Sequence, residues 1–392
     1  MSCNPSACAN CPLTCMSGRQ TPSEPADKAE ITQQPETIEE PLPPIDIENL
    51  PVKLPNTGEP AKVVHLVSGG LDSLLVTQLL VNMGLHVIVY HGVHSFEPHG
   101  ADRQDSSKRL EARLLGMGVK EVVFVETSMQ ILDFVRNPKF GLGKTKANPC
   151  VDCRLNNIRE VIGQRPMSQR KEAMNLIDAH IKKMGFDGLI VRPLCAQNLT
   201  PTIPERLGWI DRSKLYNFSG RSRKPQMRLA KQLNLGKYPS PGGGCLLTVD
   251  NTAQRVLDLL KHETPENPIT MTHLDLIAVG RHFRFSPTQT VILARNEVEV
   301  NKIHSLAPKH VKYSAYGVSG SMALVFGSID EKFEIFICGV ALYYSKLRES
   351  EEGTVARYGG EDEIAFDQGA MLAGKKVSKR EDFLDQMIGL NQ

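Results

Sequence analysis

Residues 68–73 read SGGLDS and decide the fold of this chain. The apolar run 63–67, VVHLV, precedes them, and in the segment 72–83 leucines recur at the spacing of one helix face. The run predicts a buried strand and the spacing predicts a helix. A glycine-rich turn between a strand and a helix N-terminus lets backbone N–H groups approach phosphate oxygens. The stretch therefore predicts a phosphate-binding loop.

Strands and helices alternate after this loop. We expect a second strand at 85–90, a helix at 106–116 and a third strand at 121–125. Such alternation predicts the α/β class, with a parallel sheet and right-handed crossovers. Further short strands are expected at 188–191 and 333–337, where apolar and aromatic residues cluster.

The composition changes at three points along the chain. Residues 1–18 are rich in cysteine, and 19–60 are rich in Pro, Glu, Thr and Gln, which is typical of a disordered linker. The parallel-sheet domain is expected at 61–262. Two prolines mark the stretch 263–268 as a boundary. Beyond it, 269–392 are expected to form a second, smaller α+β domain.

The bulk composition excludes few functions. The 392 residues carry a net charge of +2, with 41% hydrophobic and 23% charged residues, ordinary values for a soluble globular protein. No apolar run is long enough for a membrane helix, and residues 1–20 lack the apolar run of a signal peptide. We therefore expect a cytoplasmic protein without a membrane partner. A nucleic-acid partner would have to contact a local basic patch.

The loop at 68–73 supplies the expected ATP site. The residues expected to bind ATP are Ser68, Gly69, Gly70, Asp72 and Ser73. Asp72 would repel phosphates unless Mg²⁺ lay between them, so we assign it to metal or pyrophosphate handling. The string resembles the PP-loop of ATP pyrophosphatases, which have an adenine nucleotide alpha hydrolase-like fold. That resemblance implies transfer of AMP to a substrate oxygen, with Asp72 in a catalytic role.

Two other nucleotide-binding motifs lack support. The chain has no G-x-G-x-x-G string. Residues 141–145, GLGKT, look like the end of a Walker A loop, but Pro138 stands where its first glycine should be. We interpret this string as a loop in which Lys144 and Lys146 are available to phosphate or RNA.

Three cysteines are candidates for sulfur chemistry. Cys150 and Cys153 form a C-x-x-C, and Cys245 follows three consecutive glycines. Two thiols at the first spacing can reach one metal ion or cluster. The residues alone are also compatible with ordinary loop cysteines. For Cys195 and Cys338 we expect buried side chains that act as small hydrophobic residues.

Sulfur-inserting PP-loop enzymes, the tRNA 2-thiouridylases and 4-thiouridine synthases, carry a similar set of cysteines. The chain resembles their cluster-dependent members, in which a C-x-x-C and one distant cysteine hold a 4Fe–4S cluster. The resemblance implies that Cys150, Cys153 and Cys245 are cluster ligands, with Cys150 and Cys245 in catalytic roles. A persulfide relay between Cys150 and Cys245 is the open alternative. Either route needs a sulfur donor, sulfide or a persulfide carrier.

Loop strings extend the resemblance over most of the chain. Residues 163–169, 220–226 and 239–248 resemble a bacterial family of predicted tRNA thiouridine synthases with a PP-loop. A G-H-x-x-D-D string found in some cluster-dependent relatives is absent. The group that contacts the adenine or the target base therefore stays open.

Two basic regions are candidates for RNA contact. The first contains Arg221, Arg223 and Lys224. The second contains Arg281, Arg284 and Arg295 among aromatic residues, a combination suited to RNA backbone contact and base stacking. The C-terminal strings resemble the RNA-binding module of NFACT proteins. That resemblance implies tRNA as the partner.

A second possible metal site lies in the N-terminal tail. Its spacing, Cys3-x4-Cys8-x2-Cys11-x3-Cys15, suits zinc or an iron–sulfur cluster. The segment is similar to the N-terminal cluster segment of cytosolic iron–sulfur scaffold ATPases. A cysteine-rich tail that binds no metal is the alternative.

The sequence thus leads to one expectation and two rivals. We expect ATP-dependent thiolation of a tRNA uridine, with ATP, Mg²⁺ and a 4Fe–4S cluster as cofactors. One rival is a PP-loop enzyme that forms an amide from ammonia. The other is a non-enzymatic iron–sulfur or RNA-binding factor. The sequence does not distinguish C2 from C4 of the base, and it does not disclose the oligomeric state.

Overall fold

The computed structural model describes residues 45–46, 58–97, 103–155, 171–238, 244–347, 352–359, 370–376 and 387–388. The chain divides into one unit at Met1–Ile47 and another at Glu48–Gln392. The N-terminal cysteines, most of the predicted linker and the string 163–169 lie outside the described residues. The domain boundaries drawn from the sequence stay predictions.

The first sheet is parallel, as predicted. Its elements run β1 (Lys62–Leu66), α1 (Leu71–Asn82), β2 (His86–Val93), α2 (Arg103–Gly116) and β3 (Glu121–Glu126). The strand order is β1-β2-β3, and both pairs are parallel. Each crossover contains a helix, which is how parallel neighbours are connected. The mixed α/β class is therefore confirmed for this part of the chain.

Seven helices follow β3 among the described residues before the second sheet begins. They are α3 (Ser128–Arg136), α4 (Asp152–Leu155), α5 (Lys171–Lys183), α6 (Ile203–Arg206), α7 (Lys224–Gln232), α8 (Asp250–Lys261) and α9 (Met271–Asp275). The helix α1 is buried on nearly all sides, because it packs against α7 as well as against the sheet.

The strand predicted at 188–191 is wrong. The Leu189 N–H donates to the Phe186 carbonyl, and the Gly188 carbonyl accepts from the Ile203 N–H at the start of α6. Gly188 also has a φ of +68°, which is outside the strand region. These backbone groups serve a turn and a helix start rather than a neighbouring strand.

The second sheet is antiparallel and lies in the C-terminal part. Its elements are β4 (Arg281–Arg284), β5 (Thr290–Leu293), α10 (Glu297–Leu306), β6 (Lys312–Ala315), β7 (Met322–Phe326), α11 (Glu331–Tyr343), β8 (Glu352–Tyr358), β9 (Ala370–Lys376) and β10 (Met387–Ile388). In the described part, the strand order is β10-β4-β5-β7-β6-β8-β9. Mixed helices and antiparallel strands agree with the predicted α+β character.

The strand predicted at 333–337 is also wrong, because these residues belong to α11. Phe333 and Ile337 are buried on one face of the helix, four residues apart, and Ile335 between them is half exposed. The Asp330 side chain accepts a hydrogen bond from the Phe333 N–H and so caps the helix. The aromatic and β-branched composition favours a strand, but the spacing and the cap determine a helix.

One hydrophobic core includes residues from both sides of 263–268. Phe96 and Leu247 lie in it together with Leu274 and Ile277 of the segment after that stretch. The Ser95 hydroxyl also donates to Asp275 at 2.6 Å. The segment after β2, α8 and α9 therefore share one core. Among the described residues, no helix has the length and apolar character needed to cross a membrane.

Candidate functional site

The loop after β1 has the geometry expected of a phosphate-binding turn. Gly69 has a φ of +70°, which L-residues with a side chain rarely adopt. Gly70 caps α1, and its carbonyl accepts from the Leu74 N–H and from the Ser73 hydroxyl at 2.9 Å. The first N–H groups of any helix lack intrahelical acceptors. The loop therefore presents backbone donors at the positive end of α1.

Asp72 stands in the first turn of α1 beside Arg223. Their closest atoms, Asp72 Oδ2 and Arg223 Nη2, are 3.8 Å apart, and both side chains are mostly buried. Arg223 immediately precedes α7, which packs on α1. The sequence grouped Arg223 with RNA-binding residues, and the structure brings it to the ATP-binding candidates.

Buried polar groups connect the loop to the strands beneath it. The His65 Nε2–H donates to the Ser73 carbonyl at 3.0 Å, and the Thr77 hydroxyl donates to the same carbonyl at 2.9 Å. Burial lowers the pKa of His65 to about 4, so its ring is neutral at physiological pH. These contacts fix the first two turns of α1 against β1.

Residues 244–248, here called the Cys245 loop, reach the same edge of the parallel sheet. Residues that follow parallel strands lie at the carboxyl edge, which is where ligands bind in open α/β sheets. The 68–73 loop follows β1, and Phe96 lies three residues after β2. The Leu246 N–H donates to the Phe96 carbonyl at 2.7 Å. Cys245, the residue before Leu246, is therefore held beside the segment that leaves the central strand.

The structure brings the predicted cysteines together. Cys153 and Cys245 pack against the same hydrophobic core. The pKa of Cys245 is raised to about 12, first by burial and also by the nearby Cys153, Cys150 and Glu97, against a backbone hydrogen bond from Leu247 that lowers it. The Cys150 sulfur accepts a hydrogen bond from the Asn148 side-chain N–H at 3.7 Å. The three thiols are close enough to interact electrostatically, and one of them faces an N–H donor. Such a set of donors is suited to hold an iron–sulfur cluster through thiolates.

The described residues contain no group of three or more His, Cys, Asp or Glu side chains that could hold a metal ion. A four-iron cluster is larger than a single ion, so its ligands stand further apart. The ligand assignment of Cys150, Cys153 and Cys245 therefore stays a prediction.

The segment before Cys150 is a tightly closed loop. Asp152 is buried, and its carboxylate accepts from the Lys139 and Phe140 N–H groups. Lys144 and Lys146 are exposed, whereas Thr145 between them is buried. In the described part, the helix α3 rather than a strand precedes this loop, so it lacks the strand context of a Walker A motif.

The other basic candidates differ in their surroundings. Arg221 and Lys224 are exposed at the start of α7. In the second sheet, Arg284 contacts Asp258 at 2.6 Å, Arg295 pairs with Glu299, and the Arg281 guanidinium lies 4.6 Å from the centre of the Tyr344 ring.

Several contacts of the site lie beyond sequence reasoning. The sequence gives no indication of the Asp72–Arg223 pair, because the two residues are far apart along the chain. Phe96 follows a strand, but nothing in its type marks it as a support for Cys245. Thr145 belongs to the GLGKT string and Asn148 stands two residues before Cys150, but the sequence assigns no role to either side chain.

Comparisons with known proteins add one family and two structural likenesses. Residues 280–368 match the family model of the NFACT protein RNA binding domain. The C-terminal part of the fibronectin/fibrinogen-binding protein from Streptococcus suis is 12% identical, with 42% of this chain and 76% of that chain covered and a TM-score of 0.24. NMN synthetase from Francisella tularensis is 15% identical, with 57% and 85% covered and a TM-score of 0.24.

No curated protein matches the chain. The C-terminal prediction is thus supported at the level of an RNA-binding domain.

Proposed function

We propose that this protein is a tRNA sulfurtransferase that uses ATP to activate a uridine carbonyl and then replaces its oxygen with sulfur. The observation that carries the proposal is the shared edge of the parallel sheet. The SGGLDS loop follows β1 there, and the Cys245 loop is hydrogen-bonded to the segment after β2. Activation of an oxygen and delivery of sulfur to the same carbon require both loops at one edge.

The first step would take place at the 68–73 loop. Backbone N–H groups around Gly69 and Gly70 would bind phosphate oxygens, and Asp72 would hold Mg²⁺. The uridine oxygen attacks the α-phosphorus of ATP, forming an O–P bond while pyrophosphate leaves. Arg223, close to Asp72, supplies positive charge where the pyrophosphate leaves.

The second step would use the three cysteines. Cys150, Cys153 and Cys245 would hold a 4Fe–4S cluster, which when bound would supply a binding site for the sulfide that reacts with the activated carbon. Sulfur bonds to that carbon, AMP leaves with the original oxygen, and the proton of hydrosulfide goes to solvent. The persulfide alternative uses Cys150 and Cys245 alone. Burial of Cys245 raises its pKa and so disfavours the free thiolate that a persulfide relay would need at this position.

The RNA partner is supported by the family match at 280–368. Exposed Arg221 and Lys224 at the start of α7 would add phosphate contacts close to the ATP site, since α7 packs on α1. We therefore propose tRNA as the substrate that spans both regions.

The test is anaerobic reconstitution of the purified full-length protein with iron and sulfide. Unmodified tRNA, Mg-ATP and sulfide are then added, and the digested nucleosides are analysed by mass spectrometry against 2- and 4-thiouridine standards. Asp72→Asn and Cys245→Ser run beside two matched controls. Asp105→Asn removes an exposed carboxylate from α2, and Cys195→Ala removes a buried thiol with no assigned role.

We expect thiouridine from wild type and both controls, and none from Asp72→Asn or Cys245→Ser. If wild type converts ATP to AMP and pyrophosphate without thiouridine, the sulfur step is wrong and the amide-forming rival replaces it. If ATP is not cleaved while tRNA still binds, the non-enzymatic rival is correct.

A further inference from the structure

We propose that Asn148 and Thr145 are positioning residues that orient the Cys150 sulfur and connect it to the Cys245 loop. The inference rests on the proposed sulfur chemistry and adds two side chains to it. It also gives a purpose to the GLGKT string at 141–145, which neither the ATP site nor the cysteine set uses.

A continuous chain of hydrogen bonds joins the two cysteine loops. The Asn148 Nδ2–H donates to the Cys150 sulfur at 3.7 Å, and the other atom of the amide, Oδ1, lies 3.0 Å from the Thr145 hydroxyl. That hydroxyl lies 2.7 Å from the Leu247 carbonyl, two residues beyond Cys245. Asn148 and Thr145 are 7% and 8% exposed, so water competes little for these bonds.

The Thr145 hydroxyl bridges two acceptors. It has one proton, which it shares between the Leu247 carbonyl and Asn148 Oδ1. With Oδ1 accepting from Thr145, the amide presents its N–H to the Cys150 sulfur. An N–H donor favours an electron-rich sulfur, as in a thiolate, a persulfide or a metal-bound thiolate.

The backbone is shaped around the Asn148 amide. A Cβ at Gly143 would lie 2.3 Å from Asn148 Nδ2, so no side chain fits there without displacing the amide. The Gly143 N–H donates to the Asn148 carbonyl at 3.0 Å, and the Lys146 N–H donates to the Gly143 carbonyl at 2.9 Å. Lys146 has a φ of +57°, an uncommon conformation for a residue with a side chain. The glycine thus accommodates an amide rather than a phosphate.

The experiment measures the reactivity of Cys150 in the full-length, metal-free, reduced protein at one fixed pH. Iodoacetamide is added under anaerobic conditions, and peptide mass spectrometry gives the alkylation rate of Cys150 relative to Cys153 in the same molecule. Asn148→Asp keeps the shape but replaces the N–H donor with an oxygen. Thr145→Val keeps the shape but removes the hydroxyl, and Thr145→Ser restores it.

We expect the Cys150/Cys153 rate ratio to fall about tenfold in Asn148→Asp, consistent with loss of a hydrogen bond to a charged group. Thr145→Val should lower the ratio several-fold, and Thr145→Ser should return it to the wild-type value. A purely structural role would change both cysteines together and leave their ratio unchanged. Ratios within twofold of wild type in both Asn148→Asp and Thr145→Val overturn the proposal.

A second route avoids any change to the hydrogen-bonding groups themselves. Gly143→Ala should displace the Asn148 amide and lower the ratio as Asn148→Asp does. Gly141→Ala is its matched control, because a Cβ at Gly141 has no atom within 4 Å, although its φ is +78°. If Gly141→Ala lowers the ratio as much as Gly143→Ala, loop strain explains the effect and the proposal falls.

The two proposals fail separately. Thiouridine formation requires tRNA, ATP and a loaded cysteine site, whereas the alkylation ratio requires none of them. Wild type without thiouridine but with the expected ratios would refute the proposed function and leave the hydrogen-bonded connection between the loops standing. The reverse pattern would refute the positioning role alone.

Discussion

The two sheets of this protein handle polar groups in opposite ways. At the carboxyl edge of the parallel sheet, the candidate groups belong to loops and helix starts, as in the backbone around Gly69 and Gly70. In the antiparallel sheet, charged side chains contact partners within the protein, as Arg284 does with Asp258. The first arrangement leaves backbone donors for a ligand, whereas the second uses charged side chains to stabilise the fold. The two regions should therefore respond differently to mutation.

The largest effect is expected at the SGGLDS loop. Gly69→Ala introduces a side chain at a φ of +70° and should move the backbone donors from the phosphates. We expect ATP cleavage to fall between roughly 100- and 1000-fold, the usual effect of losing one preorganised donor. Pyrophosphate release from Mg-ATP, measured with tRNA present, is the readout.

Gly84→Ala is the matched control for Gly69→Ala. Gly84 follows α1 with a φ of +77°, and a Cβ at this position would meet no atom within 4 Å, so the two substitutions bring similar strain. If both variants lose ATP cleavage equally, backbone strain rather than phosphate contact explains the loss. The proposed difference between the ligand-binding edge of the parallel sheet and the stabilising contacts of the antiparallel sheet would then lack support.

The next largest effect concerns acid stability of the parallel sheet. The pKa of His65 is about 4 in the folded protein because of burial, against 6.5 for an exposed histidine. Between these pH values the unfolded chain binds more protons, so folding is fully stable above pH 6.5 and loses stability as the pH falls to 4. At about 1.4 kcal/mol per pKa unit, the loss is roughly 3 kcal/mol.

Urea unfolding at pH 7.0, 5.5 and 4.0 measures this loss. His91, His273 and His282 also have lowered pKa values because of burial, so the wild-type curve contains contributions from other histidines as well. His65→Gln should flatten the curve relative to wild type. An identical pH dependence in the two proteins would show that His65 does not titrate as described.

A smaller effect is expected from Arg284 of the second sheet. Its side chain is 11% exposed and contacts Asp258, which is 17% exposed. Arg284→Met leaves that carboxylate poorly compensated, and we expect a loss of about 2 kcal/mol in the free energy of unfolding, with ATP cleavage per folded molecule unchanged.

Arg295→Met is the control for Arg284→Met. Its side chain is 47% exposed, so its pair with Glu299 should contribute less than about 1 kcal/mol. Guanidinium chloride unfolding compares the two variants. A loss of ATP cleavage in Arg284→Met with an unchanged unfolding midpoint would contradict a stabilising role.

The smallest effect is expected from the exposed cations at the start of α7. The double change Arg221→Ala with Lys224→Ala should weaken tRNA binding a few-fold and reduce the slope of log affinity against log salt by roughly 1.5. The control changes Lys62 and Lys120 to Ala at the opposite edge of the parallel sheet, where both are exposed. Equal slopes for the two double variants would remove α7 from the RNA surface.

The parts of the fold that depend on neighbours in sequence were predictable. The SGGLDS loop and the three parallel strands follow from short apolar runs and glycine placement, and they lie where the pattern predicts. The strand expected at 188–191 is one exception, and the helix α11 is another, because Phe333 and Ile337 favour a strand by residue type. Their four-residue spacing and the Asp330 cap favour a helix, and these two local signals outweigh composition.

The site contacts were not predictable, because they join residues that are distant along the chain. Arg223 meets Asp72 only after α7 packs on α1. Thr145 meets the Leu247 carbonyl across 102 positions of sequence. The periodic spacing of apolar residues gives no indication of such contacts. The sequence identified the chemically useful residue types, whereas the fold determines which of them act together.

The core shared by Phe96, Leu247 and Leu274 determines how the protein can be divided into fragments for expression. A fragment that ends at residue 262 would lack Leu274 and Ile277, and Ser95 would lose its bond to Asp275. Such a fragment would expose an apolar surface and aggregate when expressed alone. Supplied together, the fragments 1–262 and 263–392 should recover a folded complex, because that same surface is where the second piece binds. The contribution of each fragment is therefore best studied by co-expressing the two fragments, rather than by expressing either one alone.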